Sequence, residues 1–171
     1  GVCHFPTFYH AMDAAQHLVK LNPQGVELVD ATMIALARDI PLFRQTIEDF
    51  VTGNPEALLL VEFAEENSNH NLPKLNQLNE MISDLGFSWT GSGQKWGGVT
   101  AVLEPKMQTA IAELRKSGLN IMMSMKDDAK PISFVEDCAV ELADLAEYTT
   151  GLTEIFTKYG TEGTWYAHAS V

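Results

Sequence analysis

Positive charge is scarce in this sequence. Eleven Lys and Arg stand against 23 Asp and Glu, a balance of −12 with neutral histidines, and only Arg38, Arg44 and Arg115 are arginines. A phosphate backbone or an anionic membrane surface is bound by clustered Lys and Arg, so neither is an expected partner. Cysteine is scarcer still. Cys3 and Cys138 are far apart and neither has a Cys-x-x-Cys neighbour. That excludes a disulfide framework and a cysteine-type zinc site, and two lone thiols suit a reducing, cytoplasmic setting. Long hydrophobic runs are also missing. The longest is Ala57-Leu58-Leu59-Leu60-Val61, too short for a bilayer, and no signal-peptide pattern precedes it.

Glycine is locally abundant, but not in a phosphate-binding pattern. In Gly91-Ser92-Gly93-Gln94-Lys95-Trp96-Gly97-Gly98 the lysine precedes a tryptophan, and a strand rather than a helix follows. A Walker loop needs Gly-Lys-Ser/Thr opening a helix, so that backbone N–H groups and the lysine converge on phosphates. The stretch 86–98 therefore reads as a loop, and its sequence does not say whether it is ordered.

What remains is enough for one domain with a real core: 171 residues, 46% apolar. Short strands are expected at 2–5, 26–30, 57–63, 99–103 and 165–171, with an extended run at 132–140. Helices are expected from Pro6-Thr7 onward, over 31–38, from Pro41 to about 50, over 72–85, over 105–116 and over 142–159. Asp30 and Pro41 are helix-opening residues, and Gly160 is a stop. Helices and strands alternate, but the strands are few and no glycine-rich loop follows the first. The pattern favours an α+β fold, a ferredoxin-like antiparallel sheet with helices packed on one face, over a parallel α/β sheet. The chain opens on Gly1 and closes in an aromatic strand, Trp165-Tyr166-Ala167-His168. Domain termini are usually polar, so an excised piece of a longer polypeptide is the expectation.

Five histidines are present, at 4, 10, 17, 70 and 168, and show no ligand spacing. His10 and His17 read as ordinary surface or core residues. His168 stands apart because it lies within the aromatic strand. Arg115 falls near a helix C-terminus, where a cation is favourable for dipole reasons alone; the functional alternative is a bidentate clamp on a carboxylate. Lys126-Asp127-Asp128-Ala129-Lys130-Pro131 reads as a solvated turn. Glu136-Asp137 interrupts an apolar run and needs partners if buried.

Several segments together resemble one family. They are Val26-Glu27-Leu28-Val29-Asp30 followed by Met33, Ala57-Leu58-Leu59-Leu60-Val61-Glu62-Phe63, Leu114-Arg115-Lys116-Ser117-Gly118, and Lys130-Pro131-Ile132-Ser133-Phe134-Val135-Glu136-Asp137-Cys138-Ala139-Val140. Gly163-Thr164-Trp165-Tyr166-Ala167-His168-Ala169-Ser170-Val171 completes the set. In order and spacing they are similar to the FAD-linked oxidases of the D-lactate, glycolate and D-2-hydroxyglutarate dehydrogenase group. They are similar to the branch of large bacterial proteins that join the flavin oxidase to an iron–sulfur region. The resemblance implies a flavin-dependent oxidation of a small D-2-hydroxy acid to a 2-oxo acid. It makes 1–171 the substrate or cap domain plus the start of the C-terminal oxidase region. FAD would be held mainly by an N-terminal domain whose glycine-rich segments are not found in this sequence, so this piece alone is expected to be inactive. Membrane contact, if any, would come through the parent at the inner membrane.

The resemblance carries over residue by residue. His168 falls on the first histidine of the family's Gly-His-x-Gly-Asp-Gly-Asn-x-His motif, beside flavin and substrate, where some members hold a divalent metal. Here Ala167 replaces the first glycine and Ser170-Val171 replace Gly-Asp. The second histidine has no counterpart within 1–171, which puts the metal in doubt. Arg115 matches the arginine that binds the substrate carboxylate; Leu119 stands where some members have threonine. Lys130 is a candidate for a substrate-binding lysine, and Asp137 for a loop-fixing acid. The competing reading is a stand-alone ferredoxin-like small-molecule-binding or interaction module without catalysis.

Overall fold

The computed structural model describes residues 1–124, 131–132, 135 and 138–170. Its centre is an antiparallel sheet of four strands: β1 (Val2–Phe5), β2 (Gly25–Asp30), β3 (Ala57–Glu62) and a later strand, Gly98–Thr100. The spatial order is β2, β3, β1, then Gly98–Thr100. The register sets Val2 opposite Leu60, Val26 opposite Val61, and Cys3 opposite Val99. Helix α1 (Phe8–Leu18) connects β1 to β2. Two helices, Ala31–Asp39 and Pro41–Phe50, are inserted between β2 and β3, and β3 reaches the last sheet strand through the long helix Ser68–Asp84. This is the β-α-β-β-α-β plan of a ferredoxin-like sandwich, so the α+β class and the antiparallel sheet are as expected.

Local chemistry explains the elements. The Thr7 side chain caps α1 by accepting from the His10 N–H at 3.2 Å. Ala11, Met12, Ala14, Ala15 and Leu18 then form its buried face. Asp30 caps α2 (Ala31–Asp39) by accepting from the Met33 N–H at 2.8 Å. Pro41 occupies the first turn of α3 (Pro41–Phe50), where its missing N–H costs nothing. The long helix, α4 (Ser68–Asp84), starts four residues before the expected 72 because Asn67 caps it, and Pro73 is accommodated near its start.

Helices line both faces of the sheet. On the first, α1, α4 and a late helix pack over Cys3, Phe5, Val26, Leu28, Leu59 and Val61. This is the face that the expected helical layer covers. On the second, α2 and α3 pack over Val2, Val29 and Leu58, together with two helices from further along the chain. The reason is in the strands: alternate residues of β1 and β3 point to opposite faces, and both sets are apolar, so one helical layer would leave the other set wet. Each Leu sealed in this way contributes about 1.5–3 kcal/mol relative to exposure.

Two short strands, β4 (Phe87–Ser88) and β5 (Lys95–Trp96), pair in parallel within the glycine-rich stretch, and β6 is the sheet strand Gly98–Thr100. The stretch expected to be a loop is built around tryptophans. Trp89 meets the His4 ring edge-on at 5.0 Å and Trp96 at 5.6 Å. A Cβ on Gly98 would lie 2.4 Å from the Trp89 ring, so that contact requires glycine.

After β6 come α5 (Pro105–Lys116), α6 (Gly118–Met123) and α7 (Leu145–Lys158). Of the extended run expected over 132–140, residues 133, 134, 136 and 137 lie outside the described residues, and the described ones belong to no named strand. The closing segment lies along the free edge of β2: Leu28 N–H donates to Ala167 C=O at 3.0 Å, and Ala169 N–H to Val26 C=O at 2.7 Å. Cys3 is fully buried, which pushes its thiol up to about 12; neither cysteine is in a disulfide.

Candidate functional site

The edge pairing between β2 and the closing segment builds the candidate site. Glu27 sits directly opposite His168. The flanking backbone bonds make this a non-hydrogen-bonded antiparallel pair, the geometry that brings facing side chains closest. Arg115 arrives from elsewhere. Ile111 and Leu114 anchor α5 against the second face of the sheet, and the next residue, in the last turn, reaches the same edge.

The three side chains meet on one carboxylate. Glu27 Oε2 is ion-paired with Arg115 Nη2, and Glu27 Oε1 lies 2.7 Å from His168 Nδ1. Arg115 is 16% exposed and Glu27 25%, so this pair is screened less than a surface ion pair, whereas His168 is 73% exposed. Tyr166, two residues before His168 and on the same side of the strand, closes the guanidinium from above. Its ring centroid is 4.7 Å from Arg115 Cζ, and its hydroxyl donates to the Arg115 C=O at 3.1 Å. A Cβ at Gly118 would come within 2.8 Å of the Tyr166 ring, so glycine leaves room for it. Arg115 Nη2 also donates to the Ala167 C=O at 3.4 Å, while its buried Nε–H has no hydrogen-bond partner among the described residues.

Asp30 secures the approach. Besides capping α2, its carboxylate accepts from the Trp165 N–H at 2.9 Å, tying the closing segment to the end of β2. Burial pushes its carboxyl pKa above the usual value, a cost that the two N–H donors partly offset.

Of the residues singled out in the sequence, Arg115 and His168 are brought together; Lys130 and Asp137 lie outside the described residues. Glu27 and Tyr166 were missed as site residues. The signal for Glu27 was an acid within an apolar strand, Val26-Glu27-Leu28-Val29, which needs a partner when partly buried. The signal for Tyr166 was its two-residue spacing from His168.

Two clefts of about 220 and 280 Å³ lie elsewhere, one beside Thr7 and Glu56, the other beside His70 and Lys74. Both fall below the roughly 300–1,000 Å³ of small-molecule sites. No group of three His, Cys, Asp or Glu that could hold a metal occurs among the described residues. His168 Nδ1 is engaged by Glu27, which leaves Nε2 as its available nitrogen. Nor, among the described residues, is any helix long and apolar enough to cross a membrane.

Strand order and this edge cluster define a ferredoxin-like α+β domain with a charged site on its outermost pairing. The chain belongs to the family of FAD linked oxidases, C-terminal domain, whose model matches residues 1–170. It is 26% identical over 171 residues to a D-2-hydroxyglutarate dehydrogenase of Pantoea ananatis, covering 96% of this chain and 16% of that protein. The proteins of the same name from Escherichia coli and Pseudomonas putida are each 24% identical, over 168 and 170 residues. The chain thus spans about 16% of the length of the curated relatives it matches.

Proposed function

We propose that this chain is the substrate-handling part of a flavin-dependent dehydrogenase that oxidises a D-2-hydroxy acid to a 2-oxo acid. The observation that carries the reading is the convergence of Arg115 and His168, nominated separately from distant segments, on the single carboxylate of Glu27. In this reading Arg115 binds the carboxylate of the acid. A guanidinium has five N–H donors, and Glu27, Ala167 and the Tyr166 hydroxyl do not use them all, so the substrate carboxylate binds at the cation beside Glu27. The exposed His168 ring takes the hydroxyl proton at Nε2. The flavin, held by the rest of the parent, is the hydride acceptor. Relatives named for D-2-hydroxyglutarate make a dicarboxylic hydroxy acid the first substrate to try.

The test uses the longer parent, purified with its flavin and assayed by dye reduction with several D-2-hydroxy acids. His168→Asn is expected to lower kcat by about 10²–10⁴-fold with flavin retained. Arg115→Lys, which keeps the charge but loses the planar fork, is expected to raise KM. Wild-type kinetics in both variants would remove this cluster from the chemistry.

A further inference from the structure

We propose that Tyr166 is a substrate-binding residue: its hydroxyl and Arg115 Nη1 together receive the carboxylate of the hydroxy acid. This rests on the functional reading above and deepens it, giving a part to a residue that reading does not bring to the substrate.

The donors of Arg115 can be counted. Nη2 is committed twice, to Glu27 and to the Ala167 C=O at 3.4 Å. Nε–H is buried, out of an incoming ligand's reach. Nη1 donates to the Tyr166 hydroxyl at 3.4 Å, which leaves its second N–H without a partner among the described residues. An arriving carboxylate is therefore met at Nη1, and the phenol oxygen stands 3.4 Å from that nitrogen. Two donors so close together match the two oxygens of one carboxylate, one oxygen to each. The phenol has a single proton to donate, and without substrate it goes to the neutral Arg115 C=O at 3.1 Å. A carboxylate is the better acceptor, because a hydrogen bond to an ionised group is about twice as strong as one between neutral groups. Turning the O–H from the carbonyl to the substrate needs no movement of heavy atoms, and the proton stays on the phenol. Exposure fits this order of events. Tyr166 is 45% exposed and the Arg115 side chain 16%, so a solute reaches the phenol first. The ring, its centroid 4.7 Å from Cζ, holds the guanidinium in place while the partner is exchanged.

The test compares two variants of the flavin-loaded parent, assayed by dye reduction with the D-2-hydroxy acid that the wild type oxidises best. Tyr166→Phe keeps the ring over Arg115 and removes only the hydroxyl. It should raise KM by about 10–100-fold, with flavin retained and any fall in kcat smaller than the rise in KM. Tyr166→Leu removes the ring as well and should raise KM at least as far. A ring that merely supports the arginine gives a different pattern: Tyr166→Phe keeps the wild-type KM and Tyr166→Leu alone raises it. That pattern overturns the inference. So does a loss of kcat in Tyr166→Phe that exceeds the rise in KM, which places the phenol away from the carboxylate. Loss of flavin from Tyr166→Phe overturns it too, by making the hydroxyl a structural tie between the closing segment and α5. Arg115→Lys in the same parent separates the two levels. If it raises KM while Tyr166→Phe does not, only the role of Tyr166 falls; a wild-type KM in both takes carboxylate binding at Arg115 out of the functional reading as well.

Discussion

His4 and His168 are the same side chain in opposite surroundings. His4 lies in the middle of β1 and is fully buried. Its Nδ1 is 3.0 Å from the Val2 C=O, and its Nε2 accepts from the Thr52 N–H at 3.1 Å. Both nitrogens are spent on backbone, and Trp89 packs against the ring. Burial lowers its pKa below the usual histidine value, holding it neutral. His168 also carries its Nδ1 contact inward, but to a carboxylate, and its ring stays open to solvent. The pair teaches that aromatic neighbours and strand position do not distinguish a structural imidazole from a chemical one. What distinguishes them is whether the second nitrogen is left over, and whether a charged partner stands behind the first.

The largest expected effect lies on the buried side. His4→Ala opens a cavity and strips the Thr52 N–H of its acceptor, costing about 3 kcal/mol by urea denaturation. A loss below 1 kcal/mol would mean that water replaces the ring. Next is the pH dependence. Because the folded pKa of His4 is depressed, the unfolded chain takes up a proton first. The stability from the neutral ring is complete above about pH 6.5 and is lost as pH falls toward the folded value. The slope contributed by this ring should vanish in His4→Gln; an undiminished slope would assign it to other groups. The smallest effect is on the exposed side. His168→Ala should shift stability by no more than about 0.5 kcal/mol, while His168→Asn is expected, on the proposed function, to disable the parent. A large loss of stability from His168→Ala would erase the contrast and make the closing segment a clasp rather than a site.

Some of this was legible from residues alone. Asp30 as a cap, Pro41 as a helix opening, the C-terminal position of Arg115 on its helix and the strand around Leu59 follow from signals within one turn or one strand. The early start of α4 was missed because Asn67 outweighed Pro73 as the boundary signal. For the glycine-rich loop, composition shows five glycines, but not that Trp89 needs Gly98 bare to reach His4. The second helical layer was implicit in strands apolar on both sides, yet which helices fill it depends on contacts across the chain.

Sequence by itself determined the α+β class, the apolar strands, the caps and the family to which the chain belongs, since these rest on local periodicity and on ordered motifs. It also nominated Arg115 and His168. Only the tertiary structure decided that both meet Glu27. That meeting depends on the closing segment pairing with β2 in one register, and on α5 being anchored by Leu114 so that its last turn reaches the same edge. A shift of one residue in that pairing would turn His168 to the opposite face and dissolve the cluster.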